Sequence, residues 1–199
     1  MTTFAPEKAT AADGGRTPQS VELFALLDAM DLPRGVRAEV LDGETITVSA
    51  CPVGKHQRNV RALDLQLTPR LPEGYDNETY LEIRMPHLDR SVVPDLFVAP
   101  KELLITDDHM IPPDDVLLVA EVASKGKPNQ DRVTKLEIYA EAVIEFYLLI
   151  DPLQAQATLY SNPQAKQYKE KTTRDFGEKL TLPKPFDFDL DTGEFLPYG

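Results

Sequence analysis

The stretch VLLVAEVA, residues 116–123, decides the fold class of this protein. All of its residues are apolar except Glu121, and a short apolar run of this kind is typical of a strand covered on both faces. A second apolar run, residues 144–150, follows a segment with helical periodicity at 131–142. This alternation of strand and helix predicts an α/β domain built around a mixed central β-sheet flanked by helices.

Segments on either side of this centre complete the predicted domain. Residues 1–16 predict a disordered leader, and residues 17–199 predict a single domain, because no linker or internal repeat divides them. The other predicted elements are a helix capped by Thr17, a hairpin at 37–49 around Asp42-Gly43, a helix at 55–68, β-segments at 79–85 and 91–99, and short strands near 158–160, 167–169 and 180–182.

The composition excludes several classes of protein. The chain has 199 residues, of which 42% are hydrophobic and 27% charged, as in ordinary globular proteins. Its apolar runs are far shorter than the roughly 20 residues that span a bilayer. Its first residues lack the pattern of a secretory signal, and its single cysteine, Cys51, offers no internal disulfide or thiolate cluster. We therefore expect a cytoplasmic protein with no membrane segment.

The net charge of −12 argues against tight non-specific binding of nucleic acid, which depends on neutralising phosphates. The charge is unevenly distributed, however. Residues 51–70, 125–135 and 166–174 each contain four basic residues against one acidic residue. We expect these basic islands to hold a polyanion locally, with a strong dependence on salt or metal.

Two carboxylates interrupt apolar strand positions. Simple alternation places Asp95 on one face with Val93 and Phe97, and Glu121 on one face with apolar neighbours. Each residue alone is best explained by a nearby lysine, arginine or backbone amide. If the two strands are neighbours, the carboxylates face each other, and their repulsion forces one of them to protonate or both to share a cation. Magnesium is typically held by one or two protein carboxylates, with water and phosphate oxygens completing its shell.

The helix after Glu121 carries Asp131 and Lys135 at i, i+4. This spacing favours a helical salt bridge worth a few tenths of a kcal/mol. An alternative is that Lys135 reaches inward to the sheet, since it lies at the edge of the apolar stripe formed by Val133, Leu136, Ala140 and Val143.

Three motifs together resemble the Uma-two family of restriction-endonuclease-like proteins, within the PD-(D/E)xK nuclease superfamily. They are VVPDLFVAP at 92–100, DDVLLVAEVAS at 114–124 and DRVTKLEIYAEAVIEFYLLIDP at 131–152. AEVLDGE at 38–44 and the region of His56 match the opening of the family. The resemblance covers residues 21–188 and implies a restriction-endonuclease-like fold.

The resemblance also implies roles for particular residues. Asp95 and Glu121 would bind a divalent metal, Mg²⁺ or Mn²⁺, and Glu39 would complete the metal shell. The superfamily lysine two residues after the glutamate is replaced by Ala123, and Lys135 matches the lysine that the family carries on the next helix. Lys135 would then orient the attacking water or stabilise charge on the phosphate. The role of His56 stays open, because a histidine on an apolar stripe is often a hydrogen-bonded core residue.

The first functional hypothesis is a metal-dependent DNA endonuclease with Asp95, Glu121 and Lys135 as catalytic residues. The alternative is a non-catalytic binding or regulatory protein that keeps the nuclease fold, which the net charge and the missing strand lysine favour. A homodimer would match the twofold symmetry of duplex DNA, although the sequence leaves the oligomeric state open. Motifs of serine hydrolases, P-loop enzymes, dinucleotide-binding proteins and zinc proteases are absent from the sequence.

Overall fold

The computed structural model describes residues 18–52 and 54–199. The predicted leader at 1–16 and the predicted cap at Thr17 lie outside the described residues. The elements are α1 (Pro18–Asp28), β1 (Val36–Val40), β2 (Ile46–Ala50), α2 (Lys55–Leu67), β3 (Tyr75–Glu78), β4 (Glu82–Met85), β5 (Arg90–Val92), β6 (Leu96–Pro100), α3 (Lys101–Leu104), β7 (Met110–Ile111), β8 (Leu118–Val122), a π-helical turn (Gln130–Lys135), α4 (Leu136–Glu141), β9 (Phe146–Asp151), β10 (Gln156–Gln164), β11 (Gln167–Asp175), β12 (Lys179–Leu182) and β13 (Phe188–Asp191).

The central sheet has six strands in the order β11-β10-β9-β8-β6-β3. Strands β8 and β9 are parallel, whereas the other pairs in this sheet are antiparallel. The sheet is therefore mixed and flanked by helices, which confirms the predicted fold class. Every residue of β8 is buried, as expected for an apolar strand covered on both faces.

The two faces of the central sheet are covered by different elements. On one face, α2 packs through Val60, Leu63 and Leu67, and the β12–β13 hairpin packs beside it. On the other face, α4 packs through Ile138 and Tyr139. A second sheet, in the order β2-β1-β5-β4-β7, also contributes to this second core, and it carries α1 against β1. The face of β8 that carries Glu121 is thus covered by α4 and by the second sheet.

Two predicted β-segments differ from the strands that form: one is divided between the two sheets, and the other is shorter than predicted. The segment at 91–99 consists of β5 in the second sheet and β6 in the central sheet, with Pro94 and Asp95 between them. A proline there cannot donate a ladder hydrogen bond, which favours a break in the strand. Of the segment at 79–85, only residues 82–85 form a strand, β4, since residues 79–81 connect it to β3. The short strands expected near 158–160 and 167–169 are the nine-residue strands β10 and β11.

The helix that carries Lys135 begins with a π-helical turn, Gln130–Lys135, before it continues as α4. A π-turn adds a residue to the helical repeat and so rotates the side chains that follow it. The apolar stripe predicted for this helix is wrong at both ends: Val133, inside the π-turn, is 50% exposed, and Val143, which lies beyond the end of α4, is 71% exposed. Lys135, in contrast, is completely buried.

No helix within residues 18–52 and 54–199 has the length and apolar character needed to cross a bilayer.

Candidate active site

The two carboxylates identified from the sequence lie on neighbouring elements of the central sheet. Strands β6 and β8 are antiparallel, with Leu96 opposite Ala120. Continuing this register by one residue places Asp95 opposite Glu121, so their side chains share one face. Asp95 is 2% exposed and Glu121 is fully buried. The expectation that the two carboxylates come together is therefore met, although Asp95 precedes β6 and is not inside a strand.

The two oxygens of Asp95 have different partners. Oδ2 accepts a hydrogen bond from the backbone N–H of Val122 at 2.9 Å and lies 3.1 Å from Nε2 of His56. Oδ1 accepts from Nη1 of Arg37 at 3.1 Å. Burial opposes ionisation of Asp95, but the hydrogen bond from His56 and the charge of Arg37 outweigh it and lower its pKa to about 2.

Only one of the two carboxylate oxygens of Glu121 has hydrogen-bond partners in the described structure. Its Oε1 accepts hydrogen bonds from Nζ of Lys135 at 2.8 Å and from the hydroxyl of Tyr139 at 2.6 Å. Its Oε2 is buried and has no hydrogen-bond partner among the described residues. An unpartnered buried carboxylate oxygen is costly unless it carries a proton or meets a bound cation.

Lys135 joins Glu121 to Glu39. Its Nζ lies 2.9 Å from Oε1 of Glu39, and that oxygen also accepts from the backbone N–H of Val93 at 2.9 Å. The helical ion pair expected with Asp131 does not form, since within the described chain the acids within 4.0 Å of Lys135 are Glu39 and Glu121. The π-turn is the physical reason, because it turns Lys135 toward the sheet.

The site contains more acidic than basic groups. Four buried carboxyls, those of Glu39, Asp95, Glu121 and Asp131, surround the cations Arg37 and Lys135. Burial raises the pKa of Glu121 to about 8 and that of Asp131 to about 6, and the charge of Lys135 only partly opposes the shift. The pKa of Lys135 is raised by Glu121 and Glu39, although burial opposes this shift. The cluster therefore has room for protons or for additional positive charge.

A cleft of about 300 Å³ borders this cluster at Arg37 and Asp131. It is lined by residues from β2, from the loop after β8 and from the π-turn, together with one residue of β1. The lining that bears on the chemistry is Arg37, Ser124, Lys127, Gln130 and Asp131. Lys127 belongs to the basic island at 125–135, so part of that island lies at the mouth of the site.

The sequence predicts no defined role for three residues of the site. Arg37 and Tyr139 contact the carboxylates directly, and His56, whose role was left open, binds Asp95 and lies 2.8 Å from the carbonyl oxygen of Val122. The signal for Tyr139 was its position one turn after Lys135. No sequence pattern links Arg37 to the carboxylates, because it lies on β1 of the second sheet, 58 residues before Asp95.

The donor set fits a hard divalent cation in its chemistry. Carboxylate oxygens are the ligands that Mg²⁺ and Mn²⁺ prefer, and Oε2 of Glu121 is an unpartnered buried oxygen of this type. In the present arrangement, no group of three or more His, Cys, Asp or Glu side chains in the described residues is assembled as a metal cage. Arg37 and Lys135 lie among the carboxylates and supply the positive charge instead.

Comparison with known proteins agrees with this fold. A crystal structure from Anabaena variabilis, described as "a putative nuclease belonging to DUF820", matches with a TM-score of 0.65 and 19% identity. The match covers 86% of this chain and 95% of that chain, and it shows that the two proteins share a fold. No curated protein sequence matches the chain. The model of the Uma2 family, described as "Putative restriction endonuclease", matches residues 21–193. Since this match covers most of the chain and includes all three motifs, the protein belongs to the Uma2 family.

Proposed function

We propose that this protein is a metal-dependent endonuclease that hydrolyses phosphodiester bonds of DNA in the cytoplasm. The observation that carries the proposal is the buried pair Asp95 and Glu121, with Lys135 in direct contact with Glu121. Membership of the Uma2 family supports the same reaction class.

The residues that would hold the metal are Asp95 and Glu121, with Glu39 as a further carboxylate. The free oxygen of Glu121 is Oε2, because Lys135 and Tyr139 both occupy Oε1. Bound Mg²⁺ or Mn²⁺ polarises a phosphoryl oxygen and lowers the pKa of a water molecule.

The other residues of the site act by orienting and by charge. Tyr139 and Lys135 hold Glu121 in one orientation, and His56 with the N–H of Val122 does the same for Asp95. The ammonium of Lys135 is fixed next to the carboxylates, where it stabilises negative charge that develops on the phosphate or orients the attacking water. The products would be a phosphate monoester and a hydroxyl end.

Cleavage assays on matched variants test the proposal. Wild type, Asp95→Asn, Glu121→Gln and Lys135→Met would be incubated at low salt with supercoiled plasmid or single-stranded DNA, and with Mn²⁺, Mg²⁺ or EDTA. Glu141→Gln is the matched control, since Glu141 lies at the other end of the helix and pairs with exposed Lys166.

We expect metal-dependent cleavage by wild type and Glu141→Gln, and a loss of at least about 100-fold in the three site variants. Cleavage that survives in Glu121→Gln would contradict the assigned site. Folded wild type that cleaves no DNA under any condition would favour the alternative, a non-catalytic binding or regulatory protein.

A homodimer is a further part of this proposal, because two sites related by a twofold axis can cut both strands of a duplex. Sedimentation equilibrium on wild type with and without a DNA duplex tests it. A protein that stays monomeric and only nicks plasmid would overturn the dimer and leave the hydrolytic reaction in place.

A further inference from the structure

Arg37 lies within the site, but the proposed reaction gives it no role. Arg37 donates from Nη1 both to Oδ1 of Asp95 and to the carbonyl oxygen of Val93, each at 3.1 Å. Its Nε is buried without a hydrogen-bond partner in the described structure, and it lies 3.8 Å from Oε2 of Glu39. The guanidinium is thus held mainly by charge, with incomplete hydrogen bonding.

Arg37 occupies the oxygen of Asp95 that a metal would need. The other oxygen, Oδ2, is already engaged by Val122 and His56. Metal and Arg37 therefore compete for Oδ1. Two positive charges at one carboxylate oxygen repel each other, so the presence of one disfavours the other.

Arg37 also has space into which it can move. Its side chain is 11% exposed, whereas that of Lys135 is fully buried between two carboxylates. The cleft of about 300 Å³ lies on one side of Arg37, with Ser124 and Lys127 on its lining. An arginine fork matches the geometry of a phosphate and binds it through two parallel hydrogen bonds.

We propose that Arg37 is an exchangeable counterion that couples metal binding to phosphate binding in the DNA substrate. This inference rests on the proposed function. In the metal-free protein Arg37 neutralises Asp95. When the carboxylates bind a metal, Arg37 leaves Oδ1 and its guanidinium binds a backbone phosphate in the adjoining cleft. Lys135 stays with Glu121 and Glu39 throughout.

Two measurements without turnover test the exchange. Binding of Mn²⁺ to Arg37→Gln and wild type is measured without DNA by calorimetry and by the electron paramagnetic resonance of free Mn²⁺. Binding of a DNA duplex is then measured with Ca²⁺ over a series of salt concentrations. Arg90→Gln is the matched control, because Arg90 is also a half-buried arginine of the second sheet but donates to the carbonyl oxygens of Leu88 and Asp89, and it lies outside the cleft and the three basic islands.

We expect Arg37→Gln to bind Mn²⁺ roughly tenfold more tightly than wild type, because a competing cation is gone. The same variant should bind DNA more weakly, and its slope of log affinity against log salt should fall by about one. Arg37→Lys keeps the charge without the fork, so its Mn²⁺ affinity should stay near that of wild type while DNA binding weakens. Arg90→Gln should change neither quantity.

The outcomes separate this inference from the proposed function. Weaker or unchanged Mn²⁺ binding by folded Arg37→Gln, in a wild type that binds Mn²⁺, overturns the exchange and leaves the nuclease proposal standing. Unchanged DNA affinity and salt slope in that variant also overturn it. A wild type that binds no Mn²⁺ by either method overturns both. Circular dichroism of each variant identifies loss of fold, and Arg37→Lys then provides the decisive comparison.

Discussion

The ammonium of Lys135 lies 2.8 Å from Oε1 of Glu121, although the two residues are separated by 14 positions and belong to a helix and a strand. The PD-(D/E)xK pattern that the sequence resembles has its lysine two residues after the glutamate, where this chain has Ala123. Alternation along β8 places residue 123 on the same face as Glu121. Lys135 thus contacts Glu121 from the helix, where a lysine at position 123 of the strand would otherwise do so.

Glu121 makes the stability of the metal-free protein depend on pH. Burial raises its pKa from 4.5 to about 8, so the folded protein keeps a proton that the unfolded chain releases at lower pH. The native state then binds more protons than the unfolded state between about pH 4.5 and 8, and this contribution to stability falls as pH rises. Glu121→Gln removes the contribution, and we expect it to gain stability relative to wild type from pH 5 to pH 8.5, by up to about 4 kcal/mol.

Urea unfolding in EDTA at several pH values measures this difference. The control is Glu141→Gln, whose difference from wild type should stay flat over the same range. Parallel curves for Glu121→Gln and wild type would show that burial does not shift the carboxyl of Glu121.

Tyr139 should affect catalysis more than stability. Tyr139→Phe removes the hydroxyl that donates to Oε1 of Glu121 but keeps the ring beside Tyr147, at a centroid distance of 5.3 Å. Loss of this orienting bond should reduce the cleavage rate by roughly tenfold, with a loss of about 1 kcal/mol in stability. Plasmid cleavage rates and thermal melting check both. Tyr160→Phe is the control, because it alters a ring that also lies beside Tyr147. A Tyr139→Phe enzyme with the wild-type cleavage rate would contradict the role of Tyr139 in orienting Glu121.

Arg84 should be the most important charged residue for stability outside the site. It is 7% exposed and donates to Glu82 at 2.6 Å and to Asp28 at 2.5 and 3.0 Å, which ties α1 to the second sheet. Arg84→Ala leaves Glu82 buried without its partner, and we expect a loss of about 3–5 kcal/mol in the free energy of unfolding.

Chemical denaturation of Arg84→Ala and Arg61→Ala tests this difference. Arg61 pairs with Asp64 on α2, but its side chain is 62% exposed, so its removal should cost less than about 1 kcal/mol. Equal losses in the two variants would be inconsistent with the buried network.

The interface between α2 and the central sheet depends on Leu63. This side chain is 1% exposed, whereas Leu65 on the same helix is 59% exposed. Leu63→Ala should cost about 2–5 kcal/mol because it leaves a cavity against the sheet, and Leu65→Ala should stay within about 0.5 kcal/mol of wild type. Urea midpoints of the two variants test the orientation of α2, and a larger loss for Leu65→Ala would refute it.

Local patterns were sufficient to predict the fold class and the central elements. The apolar run around β8, the helical periodicity of α2 and the run at β9 each reflect burial on a regular repeat, which is readable along the chain. The carboxylates Asp95 and Glu121 were also recognisable, because a charged residue in an apolar row contradicts its surroundings. The family resemblance then linked them with Lys135, and the match to residues 21–193 confirms the family.

Other features depend on contacts between distant segments and have no local signal. The division of 91–99 between two sheets follows from where each half finds its hydrogen-bond partners. The π-turn buries Lys135 and exposes Val133, a change that helical periodicity cannot predict since it assumes a constant repeat. Arg37 reaches Asp95 from 58 residues away. Its charge is visible in the sequence, but the packing of the second sheet against the first determines which carboxylate it neutralises.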